Sequence, residues 1–349
     1  MTRSEYIARL LPGSFCRLAA RMAGKRFLLP YYHVISDDPL PHVHNLFKYK
    51  GIGDFVKDLD WMVARYRPMD LNDVLRTIER GDNLPARAFL LTFDDGYSEM
   101  ESVVRPILEK KGIPAVFFIT SSFLDNRNMG YMHKASLIVD RIRSDLSGSE
   151  ASAIGMVLGP DATDRGSIIR SVLSVDYAHK TVLDDVGNVL AMDFDDFLKK
   201  RRPYLSSDQV EVLKKSGFGV GAHSVDHPCY ADLSLEDQVR QTVESIDDLC
   251  SRFTLPYRTF AFPHSDNGVS RSFFDHELIS DKVQLSFGTG GMISDSCPFN
   301  FQRFSFEKPL LSAERLLGLY WARGIKGRLA GRGTIKRDGS SRNVHIEGN

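Results

Sequence analysis

Along most of the chain, short apolar runs alternate with stretches of helical period. Runs rich in β-branched and aromatic residues occupy 27–33, 87–93, 114–120, 219–223, 257–262, 284–288 and 302–306. Each has strand length and ends in turn-forming residues, so seven strands are predicted. Between them apolar residues recur three and four apart at 52–66, 71–79, 98–111, 207–216, 235–253 and 312–321, which predicts amphipathic helices. Strand then helix, repeated, predicts an α/β domain with parallel strands, as a barrel or an open sheet. In both, ligands sit beyond the carboxyl ends of the strands. Polar residues fall there: His33 ends the first run, Asp94 and Asp95 follow the second, His223 ends the fourth, and Pro263 and His264 follow the fifth.

One segment breaks the rhythm. The gap between Thr120 and Gly219 is far longer than one connecting helix needs, so 126–204 reads as an insertion. It carries helical patterns at 135–142 and 167–175 and an acidic, glycine-punctuated stretch at 184–196. It would serve as a lid or rim over a site, or as a structural side lobe. The start of the chain also has helical period, through Tyr6, Leu10, Phe15, Leu18 and Met22, interrupted at Pro12-Gly13. That segment would pack on the domain or rest on an anionic membrane surface.

Charge sharpens this division. The 349 residues are neutral overall and 42% hydrophobic, enough for a large core. Residues 1–26 hold six Arg or Lys against one acid, and 323–349 hold seven against two. Each end is +5 and the body between them is −10. The expected organisation is a basic N-terminal helical segment (1–26), a main domain (27–322) containing the insertion, and a basic C-terminal tail (323–349). An acidic body argues against a nucleic-acid partner. The termini allow peripheral contact with an anionic membrane. Cys16, Cys229, Cys250 and Cys297 are far apart in sequence, which fits reduced thiols in a cytoplasm. No apolar run has the length of a spanning helix or the form of a signal peptide.

Two motifs carry chemistry. Thr92-Phe93-Asp94-Asp95-Gly96 sets adjacent carboxylates where a strand opens into a turn, and neighbours there point to opposite sides. His223-Ser224-Val225-Asp226-His227 spaces two imidazoles so that both can reach one metal. Ser224 stands where a zincin would need Glu, and Pro228 favours a loop. Two His and one carboxylate leave coordination positions open for water and substrate. Phe287-Gly288-Thr289-Gly290-Gly291 looks like a phosphate cradle but lacks the Lys of a P-loop, and reads as a loop. Cys229 reads as a small buried residue, and Asp226 as either a support for the histidines or a solvated turn carboxylate.

On these two motifs, with Tyr32-His33, Gly219-Val220-Gly221-Ala222 and Phe260-Ala261-Phe262-Pro263, the chain resembles the polysaccharide deacetylase family, the NodB-like fold of carbohydrate esterase family 4. The resemblance covers roughly 27–322 apart from the insertion. It implies a distorted (β/α) barrel of about seven strands, with a divalent metal held by Asp95, His223 and His227. Zn is the first expectation, with Co, Ni or Fe also suited to the donors. It further implies Asp94 as the base in removal of an acyl group, chiefly N-acetyl, from an amino sugar of a polysaccharide, glycan precursor or glycolipid.

The sequence departs from the family twice. Ala261 stands where better-known members carry the Arg that orients the base, and the last strand has no His for the general acid. Arg303 could approach the base from the neighbouring strand. His33 is the favoured acid, because it ends a strand beside Asp94. Pro263, His264 and Arg303 are the candidate substrate contacts, and His264 is a second candidate acid. Two other functions compete: an inactive glycan-binding module, and an amidohydrolase acting on a non-sugar C–N bond.

Overall fold

The computed structural model describes Tyr6, residues 9–23 and residues 26–337. The outermost parts of the two basic ends, 1–5, 7, 8 and 338–349, lie outside the described residues, as do 24 and 25. The chain forms two compact units: one of 1–37, 49–124 and 205–349, the other of 38–48 and 125–204.

The first unit is built on eight parallel strands: β1 (Pro30–Tyr32), β2 (Leu91–Phe93), β3 (Ala115–Ile119), β4 (Gly219–Ala222), β5 (Thr259–Ala261), β6 (Leu285–Gly288), β7 (Asn300–Gln302) and β8 (Phe304–Ser305). Their order is β7-β6-β5-β4-β3-β2-β1-β8. The two outermost strands are consecutive in the chain, with only Arg303 between them. The stretch 300–306 therefore pairs with β6 at its start and with β1 at its end, and the sheet nearly closes into a distorted (β/α) barrel. Eight strands replace the expected seven because the single run at 302–306 divides at Arg303 between two partners. The run at 87–93 also supplies Ala88–Phe89, which pairs with Arg67–Pro68, a short strand not expected from the sequence.

Strand alternation sorts the side chains into two cores. Phe93, Phe117, Ile119, Val220, Ala222 and Phe260 join Phe55, Leu59, Leu213, Leu249 and Leu316 from helices in the larger one. Leu90, Val116, Phe118, Ala261, Leu285 and Phe287 form the smaller one inside the curled sheet, closed by Leu71, Val74 and Leu75. Gly221 is needed in that interior: a Cβ there would meet the Phe118 ring at 2.5 Å and Thr259 Oγ1 at 2.7 Å. Thr92, and Asp94 beyond it, share the inward parity.

Helix α1 (Gly13–Ala23) buries Cys16, Ala19, Ala20 and Ala23. Phe15 meets Trp321 of the last helix edge-on, with ring centroids 5.9 Å apart. Arg315 Nη1 donates to the carbonyls of Arg9 and Leu11 at 2.9 and 3.3 Å. That last helix, Ala313–Leu329, runs past the expected boundary at 322. Thr334–Ile335 then pairs with Ser294–Asp295, and Arg337 is buried, so the start of the expected C-terminal tail is part of the body.

The second unit has five helices, Tyr131–Ser144, Gly148–Leu158, Arg165–Leu173, Val182–Val189 and Phe194–Arg201, around Ile138, Ile142, Ile154, Ile168, Val172, Leu183 and Val186. The acidic stretch at 184–196 is helical at both ends. Its acids cap: Asp193 accepts from the backbone N–H of Asp196, as Asp164 does from Gly166 and Ser167. Residues 38–48 belong to this unit through Asn45 and His44, which bond Asp140 at 2.8 and 2.6 Å.

Candidate active site

The site forms where β1, β2, β4, β5 and β8 end. Four non-glycine residues there, Asp95, Ser224, His227 and His264, have φ of 79°, 66°, 63° and 54°. Left-handed backbone at such residues costs on the order of 1 kcal/mol or more each, and persists only where surrounding contacts fix it. The His223–His227 loop is fixed on both sides. Ser121 and Ser122 donate backbone N–H groups to the carbonyls of Ser224 and Val225 at 3.1 and 2.9 Å. From helix α2 (Leu235–Phe253), Gln241 accepts from Val225 N–H at 2.9 Å and donates to Asp226 at 2.6 Å.

This backbone brings Asp95, His223 and His227 together, with one ligand atom from each within 4.8 Å of the others. Asp95 Oδ1 lies 3.2 Å from His223 Nε2 and 3.0 Å from His227 Nε2. His223 Nδ1 donates to the Ala261 carbonyl at 2.8 Å, so its Nε2 lone pair faces the carboxylate. Asp95 Oδ1 and His223 Nε2 are buried with no hydrogen-bond partner in the protein. Two buried electron pairs aimed at each other need a cation or a proton between them. The donor set, its burial and its unfilled lone pairs fit a divalent metal. Burial alone would raise the Asp95 pKa, yet His227 and then His33 hold it well below the carboxylate range.

Asp94 is nearly fully enclosed and takes a fork from Arg303: Nη1 donates to Oδ1 at 2.6 Å and Nη2 to Oδ2 at 2.7 Å. Arg303 Nη1 also donates to Thr92 Oγ1 at 3.0 Å, and the guanidinium lies among the rings of Tyr31, Phe118 and Phe287. Burial opposes ionisation of Asp94, but Arg303, with His223 and His33, keeps its pKa below the usual value. The fork uses part of the carboxylate's capacity of about four lone pairs and leaves room to accept a proton. His33 Nδ1 bonds Glu307 Oε2 at 2.5 Å, while Glu307 Oε1 accepts from the N–H groups of His33 and Val34 at 2.5 and 3.1 Å. Burial would lower the His33 pKa; Glu307, with Asp95 and Asp94, outweighs that and raises it to about 10.

The sequence model described as polysaccharide deacetylase matches residues 81–272, more than half of the chain. The chain belongs to the polysaccharide deacetylase family. It is thereby a carbohydrate deacetylase, a hydrolase of the NodB-homology, carbohydrate-esterase kind. Among curated protein sequences none matches significantly. Solved structures share its fold at low identity. A Streptococcus pyogenes deacetylase, PplD, solved with acetate, is 15% identical, with a TM-score of 0.55 over 84% of this chain and 98% of its own. IcaB from Ammonifex degensii is 14% identical, with a TM-score of 0.52 over 86% and 97%. A Bacillus cereus polysaccharide deacetylase is 13% identical, with a TM-score of 0.51 over 85% and 69%.

Within this deacetylase fold, the residues expected to act do not all face the same way. Asp94, Asp95, His33, His223 and His227 gather at the strand ends. Arg303 is 0% exposed with its fork bound to Asp94, so it takes the alternative expected of it, an approach to that carboxylate, and presents no free surface to substrate. Pro263 is buried, and His264 is exposed with its ring 4.4 Å from that of His227. Sequence reasoning missed Glu307 and Gln241. Glu307 stood in the last-strand segment searched for a histidine, and its signal was a lone acid just past a buried strand. Burial, and then Asp232, push the Cys229 thiol up, which disfavours the thiolate.

Proposed function

We propose that this family member is a metal-dependent N-deacetylase of an amino sugar, in a polysaccharide, glycan precursor or glycolipid. The observation that carries the proposal is the buried Asp95–His223–His227 group, whose lone pairs converge with no protein donor between them. A divalent ion held there, Zn first and Co, Ni or Fe as alternatives, would supply Lewis acidity to the acyl carbonyl and acidify water.

The chain's own residues do the rest. Asp94, kept ionised by Arg303, takes a proton from the attacking water as its oxygen bonds the acyl carbon. His33, kept protonated by Glu307, gives its proton to the nitrogen as the C–N bond breaks, leaving acetate and an amine. Arg303 thus takes the orienting role that the Ala261 methyl group, on β5, cannot fill. His33 with Glu307 supplies the acid that the last strand lacks. These two replacements favour an enzyme over a binding-only module.

The test is metal content and acetate release from N-acetylated oligosaccharides for wild type, Asp94→Asn and His223→Ala. The expected result is metal and turnover, metal without turnover, and neither. Equal activity in all three would sink the mechanism. Turnover confined to non-sugar amides would move the protein to the amidohydrolase reading.

Peripheral attachment to an anionic membrane from the cytoplasmic side belongs to the same proposal. Leu10 and Leu18 on the first helical segment are 65% and 53% exposed beside Arg9, Arg17 and Arg21. Among the described residues no helix is long and apolar enough to cross a membrane. Removing residues 1–22 should abolish sedimentation with phosphatidylserine vesicles; unchanged recovery would remove this part of the proposal.

A further inference from the structure

A second carboxylate cluster lies behind the His264 turn, and the mechanism does not use it. Asp266 and Asp295 face each other with the Arg337 guanidinium against both, and all three side chains are almost fully buried. Asn300 Nδ2 donates to Asp266 and Asp295 at 2.9 and 3.0 Å, and Gln302 Nε2 to the same pair at 2.6 and 2.8 Å. Arg337 Nη1 also reaches backbone, donating to the carbonyls of Asp266 at 2.6 Å and Val269 at 3.1 Å. One side chain from the far end of the chain thus grips the 266–269 turn at two carbonyls and a carboxylate.

The turn leads back to the site. Asp266 Oδ1 accepts from Thr289 N–H at 3.2 Å, and Thr289 Oγ1 donates to the His264 carbonyl at 3.1 Å. His264, in left-handed backbone, lays its ring against His227. The glycines that imitate a phosphate cradle make room for this arrangement. A Cβ on Gly288 would run into the Asp266 carboxylate, and one on Gly290 would come within 2.7 Å of Gln302 Oε1.

We propose that Arg337 is a positioning residue: through Asp266 it holds the 263–269 turn so that His264 stays against His227 at the substrate-facing edge of the site. Arg337, two positions beyond the strand Thr334–Ile335 and outside the region matched by the family, thereby supports the edge of the active site. The kinetic part of this inference rests on the deacetylase reading; the structural part does not.

The test uses the full chain carrying Arg337→Met or Arg337→Lys. Lysine keeps the charge, and with it the fold if methionine does not, but cannot fork to two carbonyls and two carboxylates. Amide hydrogen exchange over 263–269 in the metal-free protein should speed up about tenfold or more in each folded variant, and in Arg337→Lys, which keeps the charge, β2 to β4 should exchange as in wild type. KM for acetate release should rise about tenfold, with kcat changed by less than about threefold, the size typical of lost outer contacts to a metal site. Wild-type exchange over 263–269 together with wild-type KM, in either folded variant, would overturn the proposal. If the wild type deacetylates nothing, the proposed function fails, and the exchange comparison alone decides the inference.

Discussion

The Asp95 group and the Asp266–Asp295 cluster are both buried carboxylate sites beside the same barrel, but they treat their charge in opposite ways. Asp266 and Asp295 have a resident cation, Arg337, and amide donors from Asn300 and Gln302 fill the remaining positions. Asp95 Oδ1 has two imidazole nitrogens facing it and no protein donor. Satisfied buried charges build a scaffold, whereas an unsatisfied set costs several kcal/mol unless a cation arrives from outside. Asp94 belongs with the first kind through Arg303, although it sits next to Asp95 in sequence. One dipeptide therefore spans both solutions, which fits the different roles proposed for Asp94 and Asp95.

Exchanging the cations breaks the comparison most sharply. His223→Ala should lose the bound ion and lower kcat/KM on the order of a thousandfold or more, read by metal analysis and acetate release. Asp94→Asn should keep the ion and still lose about a hundredfold or more, which separates base from ligand kinetically. Arg337→Met, which removes the resident cation, should lower unfolding free energy by about 3–5 kcal/mol in urea melts, because two buried carboxylates are left together. Added Zn²⁺ should raise the stability of wild type by about 2.7 kcal/mol at a hundred times its Kd, and not that of His223→Ala. That gain should shrink as pH falls, since protons compete for the same lone pairs.

The smallest expected effect concerns His33. Its pKa, raised by Glu307, Asp95 and Asp94 to about 10, makes a stability contribution that is complete below its ordinary value of about 6.5 and lost as pH rises through about 10. Glu307→Gln should flatten that dependence and move the alkaline limb of kcat/KM to lower pH. An alkaline limb unmoved in Glu307→Gln would remove His33 from the role of acid.

Much of this was legible because period and strand-end position are local properties. The runs at 114–120 and 219–223 became β3 and β4 almost as written, and both motifs fell at strand ends. Arg303 is expected from the sequence as a residue that could approach Asp94, and it does so across 209 positions; what no local pattern tells is that it is fully buried there rather than also open to substrate. The expected seventh strand is present but doubled for a related reason, since period cannot show that one run serves two partners. Arg337 was read as part of a tail because its basic neighbours are tail-like, while its acids stand at Asp266 and Asp295. Residues 38–48 joined the second unit through His44 and Asn45, contacts that no pattern in that loop announces.

The seam at Arg303 has a consequence for how the protein is made. His33 and Glu307, which meet on the β1 side of it, are 274 positions apart, so the two edges cannot join until the ribosome has delivered the stretch 300–306. Until then β1 and β6 have unpaired edges, the kind of template that draws strands from other chains. Closing so distant a contact makes the barrel a slow folder for its size. The step that pairs these edges also carries the guanidinium to Asp94, so the nascent chain should gain the Arg303–Asp94 fork and cover the β1 and β6 edges in a single event.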